Sequence, residues 1–199
     1  MAGRAQVRKA ASGCFTQPVV RLLARTPVTP NGLTWFGFLL SAGAAALIAT
    51  DYLIIAGIVV LVGGFFDMLD GALARLTKKV TTFGSVLDST LDRLSEGALL
   101  LGLLVLFAGQ GNTTGILLVG IVLIASMLVS YIRAKAESLN IECLVGIFTR
   151  PERVIVLALG LLINQLEIAL GIIAAFSLLT VCQRLIHVWR QTKKMKVED

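Results

Sequence analysis

Asp67, Asp70, Asp88 and Asp92 are four of the 12 acidic residues in a chain whose residues are 56% hydrophobic. Asp67 and Asp70 are three positions apart, Asp88 and Asp92 four apart, so on helices each pair lies on one face. Four carboxylates crowded into a partly apolar site repel one another, and a divalent cation removes that conflict. Mg²⁺ prefers oxygen ligands and usually shares its shell with phosphates and water. One ion can use three carboxylates. Four point to two ions bridged by shared oxygens, the arrangement that clamps a phosphoryl group during displacement. The plainer alternative is ordinary salt bridges to Arg75, Lys78, Lys79 and Arg93. Two pairs on adjacent helices at membrane depth favour the functional reading. Gly71 and Gly84 lie beside the aspartates although glycine costs a helix about 1 kcal/mol relative to alanine. They either admit a bulky ligand to the backbone or allow close helix packing.

The elements that must carry these residues follow from the uncharged runs. No Asp, Glu, Lys or Arg occurs over Thr26–Thr50, Tyr52–Phe66 or Gly97–Ile132, mean hydropathy is +0.87, and only 15% of residues are charged. A soluble domain carries about 25% charge, and a membrane span needs about 20 mostly apolar residues. The chain of 199 residues is therefore expected to be an all-α integral membrane protein forming a single domain over residues 1–199. Hydropathy and turn residues predict six transmembrane helices: Leu33–Thr50, Tyr52–Leu73, Phe83–Ala108, Gly115–Lys135, Pro151–Asn164 and Leu166–Val188. Proline at the start of the fifth suits a first helical turn.

Six spans place all 18 Lys and Arg residues on one side, with the N- and C-termini. Positively charged loops stay in the cytoplasm, so the expected location is the cell membrane with the aspartates at its cytoplasmic face. Residues 1–30 have no continuous apolar core and are not expected to be a signal peptide. They read as a basic amphipathic surface helix: Val7, Cys14, Phe15, Val19, Leu22 and Leu23 toward lipid, Arg4, Arg8, Lys9, Arg21 and Arg25 toward headgroups. Cys14, Cys143 and Cys182 are too scattered for a metal site and are expected to be buried or reduced thiols.

The pattern Asp67-x-x-Asp70-Gly71-x-x-Ala74-Arg75, eight residues, then Gly84-x-x-x-Asp88-x-x-x-Asp92 resembles the full signature of the CDP-alcohol phosphatidyltransferases. Span count, basic N-terminal helix and length resemble that family over nearly the whole chain. The resemblance implies displacement of CMP from a CDP-linked lipid by an alcohol hydroxyl. It implies Asp67, Asp70, Asp88 and Asp92 as ligands of Mg²⁺ or Mn²⁺, two ions being expected, with Asp92 also the general base. It implies that Asn31, Gly32, Leu33, Thr34, Gly71, Arg75 and Thr81 contact the CDP-lipid together with Asp67 and Asp70. Metals and a nearby carboxylate suit such a reaction, the first for charge on the diphosphate, the second for the hydroxyl proton.

Three further stretches, "SYIRAKAE" from Ser130, "TRPER" from Thr149 and "CQRLIHVW" from Cys182, each set an arginine at the cytoplasmic edge of a helix: Arg133, Arg153 and Arg184. Converging guanidinium groups suit a phosphate monoester. The alternative is topology charges beside lipid headgroups, which fits Lys193, Lys194 and Lys196 better. The stretches are similar to the phosphatidylinositol phosphate synthase branch, which implies Ser130, Arg133, Arg153 and Arg184 as acceptor-phosphate contacts. Thr149–Arg150 departs from that branch, where an acidic residue before the proline is more usual. The expected reaction is phosphatidyl transfer from CDP-diacylglycerol to inositol phosphate, with the lipid tails entering sideways near the first, second and fifth spans. The competing readings are phosphatidylglycerophosphate synthesis, archaetidylinositol phosphate synthesis from an ether-linked donor, and a divalent-cation or proton transporter. Transport sites lie nearer the bilayer midplane and often between internal repeats, and the second half of the chain has no repeat of the D-x-x-D pattern. The resemblance also implies a homodimer; membrane lipids are expected partners and nucleic acid is not.

Overall fold

The computed structural model describes residues 17–198, which are helical throughout apart from turns and loops, without strands. A short helix α1 covers 17–23 and is followed by α2 Pro30–Ala49, α3 Leu53–Leu76, α4 Thr82–Gly109, α5 Thr113–Ser138, α6 Arg150–Leu162 and α7 Leu166–Glu198. Each expected span falls within one of α2–α7 or overruns it by no more than two residues. The largest difference is α7, which continues ten residues beyond Val188. No glycine or proline follows Val188 to stop it.

Four helices are long and apolar enough to cross a membrane: α2, α3, α5 and the Leu166–Lys193 part of α7. Helix α4 carries Asp88, Asp92, Arg93 and Glu96 within its first 15 residues, and the 13 residues of α6 extend only about 20 Å at 1.5 Å per residue. The membrane character of the chain therefore rests on four helices by length and composition. Within the expected N-terminal surface helix, Val7, Cys14, Phe15, Arg4, Arg8 and Lys9 lie outside the described residues. In α1, Val20 is buried against Leu33, Leu69 and Leu73, so part of its apolar face covers the ends of α2 and α3. Cys143 is buried and Cys182 exposed, both free thiols.

Caps set where the helices begin. Thr29 Oγ1 accepts from Gly32 N (3.1 Å) at the start of α2, and Thr81 Oγ1 accepts from Gly84 N (2.9 Å) at the start of α4. Each satisfies one of the backbone donors orphaned in a first turn. At α6, the Thr149 N–H donates to Glu152 Oε2 (2.9 Å), half of a capping box. This cap fixes Arg150 as the first residue of α6 and Arg153 three positions on.

Helix α2 packs on both α3 and α4, α3 on α6, α6 on α7, and α5 on α4 and α7. The core of Ala44, Ile48, Val60, Leu103, Val122, Leu161 and Leu170 lies along these contacts. Backbones approach closely where side chains are small: a Cβ on Gly102 would lie 2.5 Å from the Ala45 carbonyl oxygen. Such approach is the membrane-helix substitute for a hydrophobic drive between helices. Only residues 77–81 link α3 to α4, turning through Lys78 in the left-handed region (φ 56°). Helix α2 packs against both of the helices that this link joins.

Candidate active site

The four aspartates come together between α3 and α4, close enough that Asp92 senses the charges of Asp67, Asp70 and Asp88, and Asp70 those of Asp67 and Asp88. Asp70 is 4% exposed. Its Oδ1 accepts from the Gly71 N–H, and its Oδ2 is buried with no hydrogen-bond partner. A buried carboxylate oxygen with nothing to satisfy it costs free energy unless a ligand supplies the charge. Gly37 on α2 makes room for Asp67: a Cβ there would stand 2.5 Å from Asp67 Oδ1. The donor set is all oxygen, as Mg²⁺ and Mn²⁺ prefer.

A cation is already among these oxygens. Arg150 Nη2 donates to Asp67 Oδ2 at 2.8 Å, and its Nη1 pairs with Asp92 Oδ1. The side chains of Asp67, Arg150 and Asp92 are 16%, 22% and 27% exposed. With this guanidinium between them, no three carboxylates among the described residues form a ready metal shell. The orphaned Asp70 oxygen, the space at Gly37 and a cation bridging Asp67 and Asp92 all fit a site for divalent metal.

The expected CDP-lipid residues line the same end of the bundle. Asn31 Oδ1 would be 3.2 Å from a Cβ on Gly84, so the first turn of α2 lies against the first turn of α4. Leu33 and Thr34 are buried, while Asn31, Gly32, Arg75 and Thr81 remain exposed. A Cβ on Gly71 would meet only the Arg75 guanidinium, 3.3 Å away, and no other helix. The nearest atoms to a Cβ at Gly71 therefore belong to its own helix rather than to a helix crossing.

Arg153, Arg184 and Arg133 come near one another, since Arg184 senses the charges of both others. Their contacts differ. Arg153 is 2% exposed and grips Glu96 through two bonds, Nε to Oε1 at 2.6 Å and Nη2 to Oε2 at 2.9 Å. Its Nη1 is buried without a partner. Arg184 donates Nε to the Val145 carbonyl (3.0 Å) and Nη1 to that of Val129. With Thr180, which accepts from Phe148 N (3.2 Å), it pins the 140–149 loop to α7 and so sets the start of α6. Arg133 is half exposed and pairs with Glu137 one turn along its own helix (2.8 Å). Ser130 is half-buried on the same helix.

Two site residues lie outside the sequence expectation. Glu96 is one turn beyond Asp92, on the same face of α4, and that i+4 spacing was its available signal. Arg150 stands inside the "TRPER" stretch, yet local spacing does not tell which of its two arginines turns toward the aspartates.

Residues 27–189 match the family model described as CDP-alcohol phosphatidyltransferase. The chain belongs to that family. An archaetidylinositol phosphate synthase of Methanothermobacter thermautotrophicus is 39% identical to this transferase over 89% of the chain and 94% of the relative. A phosphatidylinositol phosphate synthase of Mycobacteroides abscessus is 37% identical over 86% of the chain and 82% of the relative. Among solved structures, the phosphatidylinositol phosphate synthase of Mycobacterium tuberculosis with CDP-DAG bound superposes with a TM-score of 0.80 at 35% identity, covering 87% of the chain and 93% of that protein. The same protein in complex with manganese and citrate also gives 0.80, covering 87% and 88%. CDP-lipid and divalent metal thus belong to structural neighbours of this transferase.

Proposed function

We propose that this transferase moves a phosphatidyl group from CDP-diacylglycerol to inositol phosphate, releasing CMP. The observation that carries the reading is the meeting of Asp67, Asp70, Asp88 and Asp92 at one end of the bundle, with buried Arg153 one helix away. The hydroxyl oxygen of inositol phosphate attacks the phosphorus that bears the diacylglycerol. The bond from that phosphorus to the bridging oxygen breaks, and the electron pair leaves with CMP. Asp92 takes the hydroxyl proton, a role open to a carboxylate within hydrogen-bond reach of the nucleophile. Mg²⁺ or Mn²⁺, two ions held by the four aspartates, would neutralise charge on the diphosphate and the departing CMP. Asn31, Gly32, Leu33, Thr34, Gly71, Arg75 and Thr81 hold the CDP-lipid together with Asp67 and Asp70. Ser130, Arg133, Arg153 and Arg184 hold the acceptor phosphate, with the unpartnered Nη1 of Arg153 as the donor in reserve.

The chain is one membrane domain whose six spans are α2–α7, with α6 short and α4 carrying its charge at the cytoplasmic end. This arrangement keeps every basic residue on the cytoplasmic side with the active site and both termini, and it is compatible with a homodimer through transmembrane helices surrounded by membrane lipid. Purified protein given Mg²⁺, CDP-diacylglycerol and either inositol phosphate, glycerol phosphate or inositol tests the acceptor. CMP release with inositol phosphate alone is expected; release with glycerol phosphate alone overturns the choice. The 39% identity to an archaetidylinositol phosphate synthase supports a second donor, CDP-archaeol, and the same assay with both donors ranks them.

A further inference from the structure

Arg150 stands where the aspartates would grip a cation, and nothing in the proposed reaction uses it. Its guanidinium bridges Asp67 Oδ2 and Asp92 Oδ1, residues on two different helices. Its Nε is buried and unpartnered, so its hydrogen bonding is complete only on the side that faces the carboxylates. We infer that Arg150 is a built-in counter-ion of the carboxylate cluster, competing with divalent metal for Asp67 and Asp92 and giving way when metal binds. This rests on the proposed role of the four aspartates as metal ligands.

A guanidinium bound to Asp67 and Asp92 fills the space between them, and charge-assisted pairs of this kind are the strong ones. Without any counter-charge, four carboxylates in a half-buried site would repel strongly, and some would have to take up protons. Arg150 is well placed to prevent this, because the capped first turn of α6 and the loop pinned by Arg184 deliver it to one position. The cavity on the inner side, bordered by Ser41, Ser95, Glu96 and Arg153, has room of about 20 Å³, enough for a water and not for a guanidinium. The Arg150 side chain is already 22% exposed, and a displaced Arg150 finds its room on that outer side.

The experiment measures Mn²⁺ binding to the full chain in detergent micelles by calorimetry, for the wild type and for Arg150→Met. Removing the competitor is expected to tighten Mn²⁺ binding by about tenfold or more, the factor equivalent to about 1.4 kcal/mol. In the wild type, the arginine reagent phenylglyoxal is expected to label Arg150 several-fold faster with Mn²⁺ than with EDTA, read by peptide mass spectrometry. Unchanged or weaker Mn²⁺ binding in the variant overturns the inference, as does labelling that ignores Mn²⁺. If Arg150→Met does not fold, the wild-type labelling decides alone. Absence of Mn²⁺ binding to the wild type and Arg150→Met alike removes the aspartate metal site itself, whereas equal binding to both removes only the role given to Arg150.

Discussion

Replacing Glu96 with glutamine is the sharpest test of how the charged end of the bundle is held together. The Glu96 and Arg153 side chains are 11% and 2% exposed and share two hydrogen bonds of 2.6 and 2.9 Å. Removing one partner of a buried ion pair costs about 3–5 kcal/mol, because the other charge stays buried without compensation. Glutamine keeps one carbonyl oxygen for Arg153, and a neutral hydrogen bond returns about 1 kcal/mol. The expected loss is therefore about 2–4 kcal/mol. For a chain of this size 1 kcal/mol moves the melting temperature by about 2–4 °C, so Glu96→Gln should melt roughly 5–15 °C lower. Heating purified protein in micelles and measuring the monodisperse fraction by size exclusion reads this out. Replacing a whole buried pair by apolar residues of similar volume is often nearly neutral, so the double variant Glu96→Leu, Arg153→Met should be more stable than Glu96→Gln alone. Additive losses in the double variant, or a melting shift below about 2 °C in the single one, would refute the reasoning.

Asp92→Asn should abolish CMP release while leaving CDP-lipid binding largely intact; wild-type turnover would remove Asp92 as the base. Gly102→Ala and Gly37→Ala both set a Cβ 2.5 Å from an oxygen, but that oxygen is the backbone of Ala45 in the first case and the tip of Asp67 in the second. Gly102→Ala should therefore lose about 1–3 kcal/mol of stability, and Gly37→Ala should keep its melting temperature yet bind Mn²⁺ more weakly. Arg184→Met frees the carbonyls of Val145 and Val129, and faster backbone hydrogen exchange over residues 140–149 is the expected consequence.

Much of the site was readable from spacing. Positions three and four apart on a helix face the same way whatever surrounds the helix, so Asp67 with Asp70, and Asp88 with Asp92, were paired before any fold was known. The caps at Thr29, Thr81 and Thr149 are local signals too, since an N-cap satisfies donors only two or three residues away, yet the expected spans began one to three residues inside the helices they start. The breaker-rich links between spans located α2–α7 for the same reason. The end of α7 escaped because the basic sequence after Val188 forms helix as readily as tail.

What the sequence determined by itself was an apolar helical chain, four carboxylates on two helix faces, and arginines at the helix ends. Only the tertiary structure decided which arginine meets which acid. Arg150 reaches Asp67 across 83 positions and Arg153 reaches Glu96 across 57, while Arg184 serves loop carbonyls. Those pairings depend on how far each helix is rotated about its axis and how closely it crosses its neighbour. Rotation and crossing are set by distant packing, such as Gly102 against Ala45, and no periodicity along a single segment records them.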